Sequence, residues 1–380
     1  NITSFMAQFT IAMVNLALVY RMRNYFNASA QLVGAAASTY NFTYFVACLF
    51  LSPLTRRLKP PQSVNISMVV MTLAVGVVLF TTHISVAFIA LVFYGAAMAF
   101  LWPQIESWLA RGKEGQALNR ATSNFNVSWS LGLALSPLLT GALVEVGTTI
   151  PLILSMALFL VIFLLITVAQ RTIFDDDSSV SEHTRVQNSQ GVDQSTPLRF
   201  LSWAGVFTTY CALPITLTIF PLYAQDLNIF SESVVGTLLA VRGLVTVAMF
   251  IVLGRTKRWH FKKWLIILVQ VAIALLLFGA RFASTYLHFL LFFFLYGLFF
   301  ACTYSMSIFH GASGTLQLSK RMMIHEVLLT LGSVIGATFG GGIYEKYGFS
   351  NLLLIASIVV IIPPVLSLFI GKKPIAQKGA

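Results

Sequence analysis

Long apolar runs alternate with short polar segments along the whole chain. Each run is close to the ~20 residues that an α-helix needs to cross the hydrocarbon layer of a membrane. The pattern therefore predicts twelve membrane-spanning helices, which we call spans and number in chain order. The predicted spans are residues 4–20, 31–51, 64–82, 86–109, 121–144, 151–169, 200–224, 234–254, 264–280, 286–309, 322–343 and 351–370.

One longer polar segment, rich in Ser, Asp and Gln, separates the sixth span from the seventh. Such a composition is typical of a flexible linker. We predict an N-terminal six-helix bundle at residues 1–169, a flexible cytoplasmic linker at 170–199, and a C-terminal six-helix bundle with a short cytoplasmic tail at 200–380. The acidic run at 175–177 has no second acidic cluster to match it, so we interpret it as solvated charge. We expect neither a metal nor a cofactor.

The two predicted halves share a sequence pattern at an offset of 200 to 202 residues. Span five repeats as span eleven, span four as span ten, and span two as span eight. A repeat in the same orientation is typical of two bundles related by an axis along the membrane normal. The matching pairs are Gly132 with Gly332, Gly141 with Gly341, Glu145 with Glu345, Tyr94 with Tyr296, Gly95 with Gly297, Ser29 with Ser231 and Gly34 with Gly236.

Three short segments connect this pattern to a known family. The loops after spans two and eight read LSPLTRRLKP and GRTKRWHFKK. Span five carries small residues and a proline at Gly132, Ser136, Pro137, Thr140 and Gly141. The chain resembles the major facilitator superfamily of secondary transporters, whose loop motif is Gly-x-x-x-Asp-Arg-x-Gly-Arg-Lys and whose antiporter motif is Gly-x-x-x-Gly-Pro-x-x-Gly-Gly. In this chain Thr55 and Arg258 replace the aspartate of the loop motif.

The resemblance implies an all-α membrane fold of twelve helices in two pseudo-symmetric six-helix bundles. It also implies a monomer, and a substrate pathway lined by spans one, four, seven and ten. The small residues of span five indicate either close helix packing or a role in coupling export. The proline within them predicts a kink.

The distribution of basic residues predicts the orientation in the membrane. Only 9% of the chain is charged, yet its net charge is +12. Nineteen Lys and Arg residues lie on one side of the predicted spans and four on the other. The positive-inside rule then places both termini in the cytoplasm, and we expect a multi-pass protein of the plasma (inner) membrane. Because the basic residues follow the loops instead of forming one patch, we expect no nucleic-acid partner.

Arg242 lies inside the apolar run of span eight, near the middle of the membrane. A charge at this depth costs roughly 2.5 to 3.5 kcal/mol, so it should face a cavity or a partner. Three interpretations are open: a structural arginine satisfied by carbonyls and water, an ion pair, or a site for an anionic substrate. The predicted substrate-binding residues are Arg242, Tyr40, Asn41, Tyr44, Gln8, Asn15, Trp102, Gln104, Tyr210 and Tyr304.

Three ionisable residues near the predicted cytoplasmic side are candidates for proton coupling or gating: Glu106, Glu326 and His325. We predict a secondary active transporter that moves a small or amphipathic organic anion by alternating access, with a lean to export or antiport. Proton-coupled uptake of an organic anion is one alternative. A membrane-embedded lipid-modifying enzyme is the alternative from another class, although the spans lack the clustered acids that such chemistry uses. The expected partners are a small-molecule substrate, membrane lipids and, as coupling ion, protons.

Overall fold

The computed structural model describes residues 2–51, 54, 57–110, 115–173 and 193–370. These residues form α-helices joined by short loops, with no strand among them. Part of the predicted linker, the C-terminal tail and residues 52–53 and 55–56 of the loop after span two lie outside the described residues. The helices are α1 (Ile2–Asn24), α2 (Ala30–Phe50), α3 (Pro60–Phe80), α4 (Ile84–Met98), α5 (Trp102–Ala110), α6 (Gly115–Val146), α7 (Thr149–Ile173), α8 (Leu198–Pro214), α9 (Phe220–Asp226), α10 (Glu232–Arg255), α11 (Lys263–Ala280), α12 (Tyr286–Ala312) and α13 (Leu318–Ile370).

The described residues contain eleven helical segments that are long and apolar enough to cross a membrane. The last of them, within α13, is broken at Gly348, where the backbone has φ 79° and ψ 169°. Glycine adopts a positive φ without steric cost, so the chain can reverse direction there within one residue. The two arms of α13 correspond to spans eleven and twelve, and the predicted all-α membrane fold is confirmed.

Two other spans are irregular beside prolines. Span four stops after α4, continues through tight turns at residues 99–101, and resumes as α5 one residue before Pro103. Span seven consists of α8, a π-helix at Ile215–Ile219, and α9. Pro214 and Pro221 flank this π-helix, and each lacks the N–H that an α-helix would donate to the carbonyl four residues earlier. The prolines therefore explain both departures from a straight helix.

The helices form two bundles, α1–α7 and α8–α13. Within the first bundle α1 packs on α6, α2 on α4, and α3 on α7. Within the second, α8 and α11 pack on α13, and α10 packs on α12. The bundles meet through two equivalent pairs, α6 with α10 and α2 with α13.

Close backbone contacts at the bundle interface occur at positions that are equivalent in the sequence repeat. A Cβ added to Gly34 would lie 2.1 Å from the carbonyl oxygen of Ala337, and one added to Gly236 would lie 2.2 Å from that of Pro137. Gly34 and Gly236 are repeat mates, and Pro137 and Ala337 occupy equivalent positions in spans five and eleven. Of the small residues of span five, Gly141 packs against the Glu232 carbonyl of the opposite bundle, whereas Gly132 packs against the Phe5 carbonyl of its own bundle. A role of this motif in coupling export stays a prediction.

The two bundles are joined at the end of the molecule that the charge count places outside, which we call the outer end. Arg23 forms an ion pair with Asp226 at 2.7 Å. Glu145 accepts a hydrogen bond from the backbone N–H of Ser233 at 3.0 Å. Its repeat mate Glu345 accepts one from the N–H of Gln31 at 3.0 Å. Each carboxylate thus caps the first turn of a helix in the opposite bundle, where an anion is favoured by the helix dipole.

Candidate functional site

Arg242 occupies the middle of α10 and is 4% exposed. It lies ten residues from the outer end of the helix, about 15 Å at 1.5 Å per residue. Its Nε is buried and makes no hydrogen bond. The ion pairs among the described residues join Arg23 to Asp226 and Arg321 to Asp193. Within the described part of the chain, the Arg242 guanidinium therefore has no acidic partner.

Arg242 faces Phe300 of α12, whose ring centroid lies 5.8 Å from the guanidinium carbon. The backbones of α10 and α12 approach closely at this level, because a Cβ on Gly297 would lie 2.4 Å from the Arg242 carbonyl oxygen. The Thr246 hydroxyl is within hydrogen-bonding distance of the carbonyls of Arg242 and Gly297, at 2.9 and 3.0 Å. These contacts fix the base of the arginine side chain against α12.

The first bundle contains an equivalent close contact between two helix backbones, but the residue at the position of Arg242 is different. A Cβ on Gly95 would lie 2.2 Å from the Tyr40 carbonyl oxygen. Tyr40 is the repeat mate of Arg242, and its buried ring packs edge-on against Tyr94 at 6.0 Å. The fold thus places an arginine in one bundle where the other bundle has a tyrosine.

Four aromatic residues spaced by one helical turn along α12 form what we call the ring ladder: Phe292, Tyr296, Phe300 and Tyr304. Consecutive ring centroids are 5.7, 6.3 and 6.4 Å apart, with interplanar angles of 29°, 29° and 19°. Tyr210 of α8 lies against the last two rings, 5.3 Å from Phe300 and 6.5 Å from Tyr304. Tyr210 and Tyr304 are half-buried, whereas the other three rings are buried.

His325 of α13 packs edge-on against Tyr304, with ring centroids 5.2 Å apart. Its Nδ1 is 2.8 Å from the Ser307 hydroxyl, and its buried Nε2 has no hydrogen-bond partner. Glu326, the next residue, is exposed. The Glu106 side chain lies outside what the structure describes.

The structure brings Arg242, Tyr210, Tyr304 and His325 together around the ring ladder. Phe300 connects them, and it was not among the predicted site residues, although the one-turn spacing of aromatic residues in span ten is visible in the sequence. The remaining predicted substrate-binding residues lie in the first bundle. Asn41 donates to the carbonyl of Ala37 in its own helix at 2.8 Å. Gln8, Asn15, Tyr44, Trp102 and Gln104 are half-buried.

A family model described as the Major Facilitator Superfamily matches residues 1–309 and, in a second match, residues 202–379. The chain belongs to the major facilitator superfamily. The expected resemblance is therefore confirmed over nearly the whole chain. No curated protein sequence matches it.

Solved structures of transporters share the major facilitator fold of this chain. The peptide transporter POT in complex with sulfate has a TM-score of 0.76 and 11% identity, covering 98% of this chain and 94% of that one. The nucleoside transporter NupG has a TM-score of 0.71 and 12% identity, covering 97% and 100%. A bacterial homologue of the human lysosomal transporter Spinster, in an inward-facing and occupied conformation, has a TM-score of 0.73 and 10% identity, covering 96% and 95%. Family and fold identify a membrane transporter, and the lipid-modifying enzyme is set aside.

Proposed function

We propose that this transporter moves a small organic anion and that Arg242 is the central contact for its negative group. The observation that carries the proposal is a guanidinium buried in mid-membrane without an ion pair among the described residues. A desolvated charge at this depth costs roughly 2.5 to 3.5 kcal/mol when nothing offsets it. A carboxylate or phosphate that binds both terminal nitrogens of an arginine would offset this cost with two charge-assisted hydrogen bonds.

Closure at the outer end supports transport by alternating access between the two bundles. The contacts at Arg23 with Asp226 and at the two helix caps join one bundle to the other. A solute at Arg242 could leave through the outer end only after these contacts break. Transport therefore requires a second conformation with the outer end open, and the substrate must change the balance between the two.

A substrate panel tests the assignment of Arg242. The full chain, purified in detergent, is heated with organic acids, matched neutral amides and matched amines, and the unfolding temperature is recorded. We expect stabilisation by acids, because a ligand that binds only the folded state raises its stability by mass action. The effect should disappear in Arg242→Ala and persist in part in Arg242→Lys, with Arg255→Ala in the exposed last turn of α10 as control. Equal stabilisation of wild type and Arg242→Ala by acids would refute the proposal.

Proton-coupled uptake is a second candidate, because Glu326 directly follows His325, which packs edge-on against Tyr304 at the proposed site. A carboxyl group that binds a proton in one conformation and releases it in the other would couple anion movement to a pH gradient. The test is anion uptake into proteoliposomes driven by an imposed pH gradient. Under this hypothesis Glu326→Gln removes gradient-driven uptake but keeps anion exchange. The lean to export stays a prediction.

A further inference from the structure

We infer that the anion carries an aromatic ring, which packs on Tyr210 and Tyr304 while its negative group binds Arg242. This inference rests on the proposed function and adds the class of substrate. It also assigns the charge and the ring to one wall of the pathway, made by α8, α10 and α12.

Tyr210 links the charged end of this wall to its aromatic end. Its ring lies against Tyr304 and also against Phe300, whose ring centroid is 5.8 Å from the Arg242 guanidinium carbon. Phe300 and Tyr296 are buried by protein, so packing accounts for them. Tyr210 and Tyr304 are half-buried and carry the accessible part of the aromatic surface. A planar ring placed there extends the stacking that the ladder already shows, which is a favourable arrangement for aromatic groups.

The ring ladder also indicates how far the aromatic ring of the substrate would lie from its negative group. Phe300 is beside Arg242 at 5.8 Å, and Tyr304 lies one ring further along α12, at 6.4 Å from Phe300. A ring on Tyr304 therefore needs a short chain between itself and a carboxylate at Arg242. This spacing favours an arylalkanoic acid over an acid attached directly to the ring.

The local structure holds both tyrosines in place. His325 packs edge-on against Tyr304 and is itself held by Ser307, so we assign it a positioning role. Tyr210 precedes Pro214 by one helical turn, and Pro214 cannot donate a hydrogen bond to the Tyr210 carbonyl. The π-helix at Ile215–Ile219 begins directly after this proline. Single π-turns inside α-helices are frequent at functional sites.

Three probes of similar size separate charge from ring: 3-phenylpropionate, 3-cyclohexylpropionate and 3-phenylpropanamide. Dissociation constants are measured by titration calorimetry on the purified full chain. We expect 3-phenylpropionate to bind roughly 2- to 10-fold more tightly than the cyclohexyl acid, as aromatic pairing contributes beyond buried area. The neutral amide should bind much more weakly than either acid.

Single-residue variants show which side chains cause these differences in affinity. Tyr304→Leu should abolish the preference for the phenyl acid, and Tyr304→Phe should keep it, which guards against misfolding as the cause of the loss. Tyr223→Leu, at another half-buried tyrosine that stacks on Phe349 near the outer end, is the matched control and should keep the preference. His325→Phe should reduce the preference without removing acid binding, because it acts through Tyr304.

The outcomes separate the inference from the proposed function. If both acids bind equally and both depend on Arg242, the proposed function stands and the aromatic substrate class is wrong. If Tyr304→Leu keeps the preference, the assigned wall is wrong. If acid binding is absent, or unchanged in Arg242→Met, the proposed function fails and the inference falls with it.

Discussion

Adding one methyl group at Gly236 should open the outer end. The new Cβ would lie 2.2 Å from the carbonyl oxygen of Pro137, whereas real Cβ atoms keep at least 3.0 Å from such an atom. The difference, 3.0 − 2.2, requires α10 and α6 to separate by about 0.8 Å. Neither contact atom is the end of a flexible side chain, so the strain cannot be relieved by a rotamer change.

Overpacking of this kind typically costs about 1 to 3 kcal/mol. Gly236 and Pro137 belong to different bundles, so the cost falls on the conformation in which the outer end is closed. The higher helix propensity of alanine acts on both conformations and cancels. The closed conformation should therefore become about 5- to 150-fold less favoured relative to the open one.

Electron–electron distance measurements would detect the change. Spin labels are placed at Thr82 and Ser284, which are exposed repeat mates in outer loops of the two bundles. The three native cysteines are replaced beforehand. We expect Gly236→Ala to move population from the short inter-label distance to a longer one.

Two other glycines serve as controls, one where an added Cβ meets no atom and one where it meets an atom of the same bundle. Gly254 has no atom within 4 Å of an added Cβ, so Gly254→Ala should leave the distances unchanged. At Gly132 the Cβ would lie 2.4 Å from the Phe5 carbonyl oxygen within the same bundle. Gly132→Ala should lower the unfolding temperature without opening the outer end. The reasoning is refuted if Gly236→Ala leaves the distances unchanged or if Gly132→Ala changes them equally.

Three further substitutions give expected results of known sign. Arg242→Met should stabilise the ligand-free protein by about 2 kcal/mol in thermal unfolding, because it removes a desolvated charge; a loss of stability would show that the guanidinium has a structural partner. Asp226→Asn should shift the inter-label distances in the same direction as Gly236→Ala but by less, because a partly exposed pair with Arg23 contributes only about 0.2 to 1 kcal/mol; no shift would make this pair irrelevant to closure. Gly297→Ala should weaken acid binding more than it lowers the unfolding temperature, because its Cβ would lie 2.4 Å from the Arg242 carbonyl oxygen; unchanged acid affinity would show that this contact does not position the arginine.

Hydropathy predicted where the helices lie but not which side of each faces the pathway. Lipid is as apolar as the protein interior, so the faces of a membrane helix do not differ in hydropathy as those of a soluble helix do. Asn41 was predicted as a site residue because an amide in a span needs a partner. In the structure its Nδ2 donates to the carbonyl of Ala37 in its own helix, and its role in the site stays a prediction. The depth of Arg242 followed from its distance to the helix ends, whereas its contact with Phe300 depends on how α10 and α12 pack.

The repeat predicted more of the fold than any single motif did. Gly34 and Gly236 match in sequence, and each lies against an equivalent carbonyl of the other bundle. The degenerate loop motif offered no comparable information, since residues 52–53 and 55–56 of its first copy lie outside the described residues. The sequence predicted a loop of several residues between spans eleven and twelve. In the structure the chain reverses at Gly348 alone, through a positive φ that hydropathy does not reveal.

Positions where the repeat keeps the backbone contact but changes the side chain are the strongest guide to function in this chain. Tyr304 meets His325 edge-on at 5.2 Å, and their repeat mates Trp102 and Phe125 also meet edge-on, at 6.3 Å. Packing alone would be satisfied by the pair of the first bundle, an indole and a phenyl ring, in both bundles. The second bundle instead carries an imidazole here and a guanidinium at Arg242, each with a buried nitrogen that makes no hydrogen bond. Since a buried nitrogen without a hydrogen bond weakens the fold, packing gives no reason for either replacement, whereas a ligand bound at this wall, as proposed, would give one.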